Sequence, residues 1–290
     1  MKTLLVDGNN LVWRNAHKIP PLTTPFKERI EVVYGFLKSL HSYLEQFEPT
    51  TVLCCWDSGR PLYRLSWYPD YKAHRQKTRD EASEAARKER RKVIDQISIL
   101  QELLPLLGIK QIAFTNTEAD DLIATAACTA KLGLRIIISG DRDFFQLVDK
   151  NVRVWNPNHH FLYTRKNFQD KLKMTPAEWY AMRALSGDSS DNIPPVRRGI
   201  GEKTALKIVR GKKIPWTKEM KQQHRINGEL MYLQCVNNIE QLGAVIDLAL
   251  KKHTQLKLAK VKRFFLDRAF VSILKDFPTW IQPFKLLGND

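Results

Sequence analysis

Cysteine is scarce in this 290-residue chain, which has only Cys54, Cys55, Cys128 and Cys235. Two are adjacent in an apolar run and none has zinc-type spacing, so they read as core thiols of a reducing compartment. No apolar run approaches the roughly 18 residues of a membrane span, and Met1-Lys-Thr leads straight into a strand pattern. A spanning helix and a signal peptide are both excluded on this reading, which places the chain in the cytoplasm. Low-complexity tracts and internal repeats are missing too. Acids are the minority charge: 31 Asp and Glu face 47 Lys and Arg, a net +16. Such an excess points to a polyanionic partner, either nucleic acid or an anionic membrane. A hydrophobic content of 43% with seven Trp fits one large globular domain, or one domain with a helical appendage.

The acids concentrate at strand ends. Thr3–Val6, Thr51–Trp56 and Arg135–Ile138 read as buried strands, the first two stopping on Asp7 and Asp57 and the third running into Gly140-Asp141-Arg142-Asp143. A helix predicted over 28–47 separates the first two. Another, over 119–132 with Leu122, Ile123, Ala126, Ala127 and Ala130 on its apolar face, opens behind Glu118, Asp120 and Asp121. Acids in a first turn also offset the helix dipole, with Thr117 as a simple cap. Three strands ending on Asp, however, place their carboxylates along one edge of a parallel sheet, where ligands gather. Salt bridges to Lys and Arg could neutralise that crowding; hard divalent ions suit an all-oxygen set better, and favour Mg²⁺ or Mn²⁺ over zinc.

Between residues 60 and 92 the chain turns basic, with 11 Lys/Arg against five acids. A helix there would align Lys72, Arg75 and Arg79, while Tyr68 and Tyr71 could stack on bases. Residues 93–107 are apolar and should pack on the body. Further on, Lys110–Phe114 predicts a strand, and Asn151–Trp155 with His160–Tyr163 a hairpin turning at Pro157-Asn158, with His159 and His160 as turn residues. Thr175 caps a helix over 175–185. Gly199-Ile200-Gly201 opens another helix amid Arg197, Arg198, Lys203 and Lys207, which reads as a helix–hairpin–helix gripping a duplex backbone. Residues 195–275 hold 18 Lys/Arg and six acids. Helices are predicted at 217–225, 228–241 and 260–275, with Phe264, Phe265, Phe270 and Ile273 docking on the body. An irregular tail carries Pro278, Trp280 and Pro283.

Together LLVDGNNLVWR (4–14), CWDSGRPLYR (55–64), YPDYKAHR (68–75), TEADDLIAT (117–125), ISGDRDFFQLV (138–148) and LSGDSSDNIPPVRRGIGEKTALKIV (185–209) resemble the 5′-nuclease superfamily. That superfamily includes flap endonucleases, bacteriophage 5′-exonucleases and the nuclease domain of DNA polymerase I. The resemblance implies an α/β fold: a mostly parallel twisted sheet flanked by helices, PIN-like, over residues 1–184, with a basic arch at about 60–107. A helical region follows over 185–290, containing the helix–hairpin–helix at 185–211. By resemblance, Asp7, Asp57, Glu118, Asp120 and Asp121 surround a first metal, and Asp141, Asp143, Asp188 and Asp191 a second. Lys72 and Arg75 contact the scissile phosphate and the 5′ strand, forming with Asp7 and Asp120 the expected catalytic set. Arg14 and Tyr71 engage the substrate. Main-chain carbonyls at Asn192, Ile193 and Val196 hold potassium in relatives; here Pro194-Pro195 stands where Pro-Gly is common, and Arg198 where a small residue is usual.

The implied activity is hydrolysis with two Mg²⁺, replaceable by Mn²⁺, leaving a 5′-phosphate at 5′ ends, flaps, nicks and single-strand/duplex junctions of DNA. RNA–DNA primers are a further implied substrate, in replication or repair, for a monomer. The alternatives are a PIN-like ribonuclease, usually nearer half this length and without the helix–hairpin–helix, and a non-catalytic module for branched DNA.

Overall fold

The computed structural model describes residues 1–129, 133–233 and 239–287. One six-stranded sheet runs in the order β3-β2-β1-β4-β5-β6. Its strands are β1 (Lys2–Asp7), β2 (Thr51–Trp56), β3 (Lys110–Ala113), β4 (Leu134–Ile138), β5 (Val152–Asn156) and β6 (Phe161–Tyr163). β1 to β5 are parallel, and β6 turns back antiparallel on β5. Alternation explains why both faces are covered. On β1, Leu4 and Val6 enter one core and Leu5 the other; on β4, Ile136 and Ile138 oppose Ile137. Cys54 and Cys55 on β2 are likewise buried on opposite faces, so they cannot pair. Strands apolar at successive positions need helices on both sides.

The first face is covered by α1 (Gly8–Lys18), α2 (Glu31–Phe47) and the apolar half of the long helix reached after α3 (Leu62–Trp67) and α4 (Ala73–Asp80), namely α5 (Glu84–Leu103). On the second face lie α6 (Ala119–Cys128), α7 (Arg165–Leu172), α8 (Pro176–Ser186), α9 (Glu202–Val209), α10 (Lys218–Met231) and α11 (Ile239–Lys251). The chain then returns to the first face as α12 (Leu258–Asp267) and three single turns, Val271–Leu274, Phe277–Trp280 and Gln282–Lys285. Segments beyond residue 185 therefore pack into both cores.

Several local expectations change. Gly8-Asn9-Asn10, to which the sequence assigned no element, starts α1, because the Asp7 carboxylate accepts from Asn10 N at 2.9 Å and caps the helix. Gly8 is required there, since a Cβ would lie 2.6 Å from the Trp56 ring. α2 starts at Glu31, three residues late, because Leu22–Ile30 closes as a small hairpin. The two helices predicted at 217–225 and 228–241 are instead one continuous α10 followed by α11; residues 234–238 lie outside the described residues, as do 130–132 of the predicted acidic helix. The helix predicted over 260–275 breaks at Ala269, whose φ is +52°. Phe265, Phe270 and Ile273 are buried as expected, Phe264 partly so. The tail is helical, each proline standing in a first turn where its missing N–H costs nothing. Among the described residues no helix is long and apolar enough to cross a membrane.

Candidate active site

β1 is the point where strand order reverses: β2 and β3 add on one side, β4 and β5 on the other. A crevice therefore opens at the carboxyl ends of β1, β2 and β4. Hydrogen bonds lace this edge together. Asp7 Oδ2 accepts from Ser139 Oγ at 2.9 Å, Asn10 Oδ1 from Gly140 N at 3.0 Å, and Asn9 Oδ1 from Asp57 N at 3.0 Å. Asp57 Oδ1 in turn accepts from Ala119 N at 2.9 Å, so the cap of α6 comes from β2 and not from Thr117. Pinning four segments this way presents Asp7, Asp57, Glu118, Asp120, Asp141, Asp143, Asp188 and Asp191 to one cavity of about 760 Å³.

Asp121, expected among the first-metal ligands, does not line it. Its two oxygens take both ends of the buried Arg64 guanidinium, at 2.6 and 2.7 Å, and the same Arg64 reaches Glu118 at 2.8 Å. Helical spacing explains the split: one turn of α6 cannot send both Asp120 and Asp121 the same way. Burial works against the Arg64 charge, yet the two carboxylates hold its pKa well above the ordinary range. Tyr71 also departs from its expected role. It is 7% exposed, and its hydroxyl donates to Glu118 and Asp191 at 3.2 Å each, which leaves no face for a base. Tyr68 is half-buried in the same small apolar cluster. Lys72 is not aligned with Arg75 and Arg79 on one helix. It is the left-handed residue (φ +58°) before α4, and it sends Nζ to Glu118 at 2.5 Å, while Arg75 pairs with Asp191 at 2.5 Å.

A further cationic residue, which the sequence reading passed over, serves Asp143 and Asp188. Arg183, one turn from the end of α8, hydrogen-bonds Asp188 and lies 3.4 Å from Asp143. Gly187 is what lets the chain turn there: its φ is +69°, and a Cβ would meet Ile193 O at 2.4 Å. Among the described residues no three His, Cys, Asp or Glu side chains already converge as a closed ion site. Instead Lys72, Arg75 and Arg183 sit on the carboxylates. An all-oxygen, strongly anionic donor set with cations drawn onto it still fits hard divalent ions.

Electrostatic crowding shows in the acids themselves. Burial, with the Asp57 and Asp141 charges adding, raises Asp7 from 3.8 to about 7. Burial and then the Asp141 charge raise Asp143 to about 7 as well. Asp120 is pushed well above the carboxylate range by burial and by Asp141 and Asp7. Asp188 is held below its usual value, because Arg183 more than offsets its burial. An acid raised in the fold lends stability below its unfolded pKa and loses it as pH climbs through the folded one. The metal-free protein should therefore lose thermal stability between 3.8 and about 7. Millimolar Mg²⁺ should restore it above that window. A melting temperature in chelator that does not fall across this range would contradict the crowding.

The opposite wall is basic. One face of α1 supplies Asn10, Trp13, Arg14, His17 and Lys18, faced by Arg79 of α4 and Arg90 of α5. The Arg90 guanidinium sits 4.5 Å over the Trp13 ring, and Arg14 Nη2 donates to Pro157 O at 2.8 Å. Trp13, His17 and Lys18 were legible as the i−1, i+3 and i+4 neighbours of Arg14, once α1 is known to be a helix. Arg197, Arg198, Gly199, Gly201, Lys203 and Lys207 form a separate exposed surface around the start of α9, anchored by buried Ile200. Gly199 has φ +89°. Ile193 and Val196 are buried, and Ile193 O accepts from Asp188 N at 2.9 Å.

Residues 2–173 match the 5′-3′ exonuclease, N-terminal resolvase-like domain. The chain belongs to the 5′-3′ exonuclease family. It is 38% identical over 211 residues to the thermostable DNA polymerase I of Thermus thermophilus, covering 72% of this chain and 24% of that protein. With the Thermus filiformis enzyme it shares 33% over 301 residues, 100% of this chain and 34% of the relative. It thus spans a quarter to a third of these polymerases. Family membership accords with the fold. A bacteriophage T5 flap endonuclease with DNA and metal ions superposes with a TM-score of 0.70 at 18% identity, covering 87% of this chain and all of the other. The catalytic core of Rad2 with DNA substrate gives 0.53 at 14%, covering 98% and 92%.

Proposed function

We propose that the chain is a structure-specific 5′ nuclease, hydrolysing DNA phosphodiesters at 5′ flaps, nicks and single-strand/duplex junctions and from 5′ ends, in replication or repair. Cytoplasmic location and a monomeric state belong to this reading. The carrying observation is the cavity itself: eight carboxylates, from the sheet edge and from the turn after α8, with Lys72 and Arg75 upon them and a wall of Arg14, Lys18, Arg79 and Arg90 opposite. An acid-only pocket would repel a polyanion and a basic one alone would only bind it; the two together suit a metal-assisted cut. Two Mg²⁺, or Mn²⁺, held between Asp7, Asp57, Glu118 and Asp120 and between Asp141, Asp143, Asp188 and Asp191, would activate water and neutralise charge on the scissile phosphate.

The chain's own residues bind and orient. Lys72 remains protonated, its burial outweighed by Glu118, Tyr71 and Asp191, so it can transfer from Glu118 to an incoming phosphate. Arg75 can do the same from Asp191. The basic wall positions the 5′ strand, with half-buried Trp13, under Arg90, the aromatic lining the cavity in place of Tyr71. Charge and alignment supply most of the rate in phosphodiester cleavage.

The decisive assay compares a 5′-flapped duplex with Mg²⁺ and with chelator. Cleavage leaving a 5′-phosphate only with the ion is expected, and none with either would end the proposal. A matched RNA flap and an RNA–DNA primer separate the ribonuclease alternative and test primer removal. The α8–α9 segment is assigned as the helix–hairpin–helix grip on duplex backbone. Arg197→Ala and Lys203→Ala should each lower the salt slope of binding by about 0.9 per lost phosphate contact without changing the chemical step. Repeating that titration in K⁺ and Na⁺ tests the monovalent site assigned to the carbonyls of Asn192, Ile193 and Val196.

A further inference from the structure

Arg183 is placed unlike the cations that line the cavity. It arises from α8, outside the basic wall, and its side chain is only 15% exposed. Its guanidinium lies between Asp143 and Asp188, one nitrogen serving both carboxylates. The other terminal nitrogen points to Glu202, 3.8 Å away in the first turn of α9, too far for a full hydrogen bond. Nε is buried and donates to no partner among the described residues. The guanidinium is thus held by charge on one side only, with a second carboxylate within reach. Arg142, the nearest alternative counter-ion in sequence, is drawn off onto the Trp179 ring, 4.4 Å from its centroid. Asp143 and Asp188 therefore depend on Arg183 for neutralisation.

We propose that Arg183 is the resident counter-cation of the Asp143–Asp188 group, yielding to the second divalent ion by turning to Glu202, and so setting how tightly and in what order that ion binds. The proposal rests on the two-ion reading of the cavity. A guanidinium and a divalent ion cannot share two carboxylates at full strength, because like charges a few ångströms apart repel. In the first group the cations gather on one member only: Arg64 and Lys72 both reach Glu118, while Asp7, Asp57 and Asp120 have no ion pair among the described residues. Its ion should bind first. Because Glu202 begins α9, turning Arg183 would also tie the state of the second site to the segment assigned to the duplex.

The test counts bound Mn²⁺ by electron paramagnetic resonance on the full chain without DNA. The wild type is expected to bind one ion tightly and one more weakly. Arg183→Met should tighten the weaker class by about tenfold or more, by removing a neighbouring charge, and leave the tighter class alone. Glu202→Gln should move the weaker class the opposite way, having taken the alternative acceptor from Arg183. An Arg183→Met second affinity that is unchanged or weaker overturns the proposal, as does a Glu202→Gln variant that binds the second ion as tightly as wild type. Should Arg183→Met fail to fold, ¹⁵N spectra of the wild-type guanidinium groups serve instead. The Arg183 signals should move with the second equivalent of a diamagnetic Mg²⁺ titration; movement with the first, or none, overturns it. Fewer than two bound Mn²⁺ in the wild type would bring down the two-ion reading itself, whereas two ions with an unmoved second affinity would remove only the role of Arg183.

Discussion

Asp120→Asn should lower Mg²⁺-dependent flap cleavage by about 10³-fold or more, the scale on which a preorganised charge at a reacting centre matters, and should stabilise the protein. Both effects have one cause. Asp120 stands in the first turn of α6 with its carboxylate in the cavity, raised well above its usual pKa by burial and by Asp141 and Asp7. Asn keeps the shape and removes the charge, so an ion loses a ligand while Asp7 and Asp141 lose a repulsive neighbour. The gain should appear as a higher melting temperature in chelator. It should grow as rising pH forces the wild-type carboxylate to ionise beside Asp141 and Asp7, and fade in acid, where that group is already protonated. Single-turnover cleavage and melting curves at two pH values measure the two halves. A variant that cuts at full rate would remove Asp120 from the metal set. One that is inactive because it is less stable would remove the crowding account.

Arg64→Leu carries the larger structural effect, a loss of about 3–5 kcal/mol, as expected when one partner of a buried ion pair is taken away. Arg64 is 4% exposed and binds Asp121 through two nitrogens, Glu118 at 2.8 Å and Leu230 O at 3.2 Å. Its removal strands Asp121 without a counter-charge and leaves Glu118 oriented only by Lys72 and Tyr71. Cleavage should fall with stability. Arg64→Leu combined with Asp121→Leu should recover much of the stability, because no buried charge is then left alone, yet not the rate, because Glu118 stays misdirected. Arg64→Lys should rescue poorly, since an ammonium cannot reproduce the two-pronged contact. If the double variant were no more stable than the single one, the ion pair would not be the source of the loss.

The sheet was readable because its strands are short, apolar and bounded. Leu4-Leu5-Val6, the run through Trp56 and Ile136–Ile138 admit few other structures, and each is followed by the acid that closes it. α1 was not readable. Gly8, Asn9 and Asn10 are poor helix formers, and the helix exists because Asp7 caps it and Leu11 and Val12 find a core. With α1 hidden, Trp13, His17 and Lys18 could not be joined to Arg14 as one face. Tyr71 and Asp121 were misread for a related reason. An aromatic beside basic residues and an acid beside an acid look the same in a sequence whether they face substrate or a buried partner, and the partners here lie far along the chain.

What the chain's order of residues settles alone is the inventory and its rough address: oxygen ligands at the ends of parallel strands, a basic excess able to hold a polyanion, and the family those segments mark. These depend on local periodicity and on residue chemistry, which neighbours in sequence already contain. The direction of each charge belongs to the tertiary structure. Whether Asp120 or Asp121 enters the cavity, whether Lys72 rests on Glu118, and whether Arg183 covers Asp143 and Asp188 depends on contacts between residues tens of positions apart. Those contacts exist only once the two cores close on either face of the sheet, because only then does burial make an unpaired charge too costly to leave.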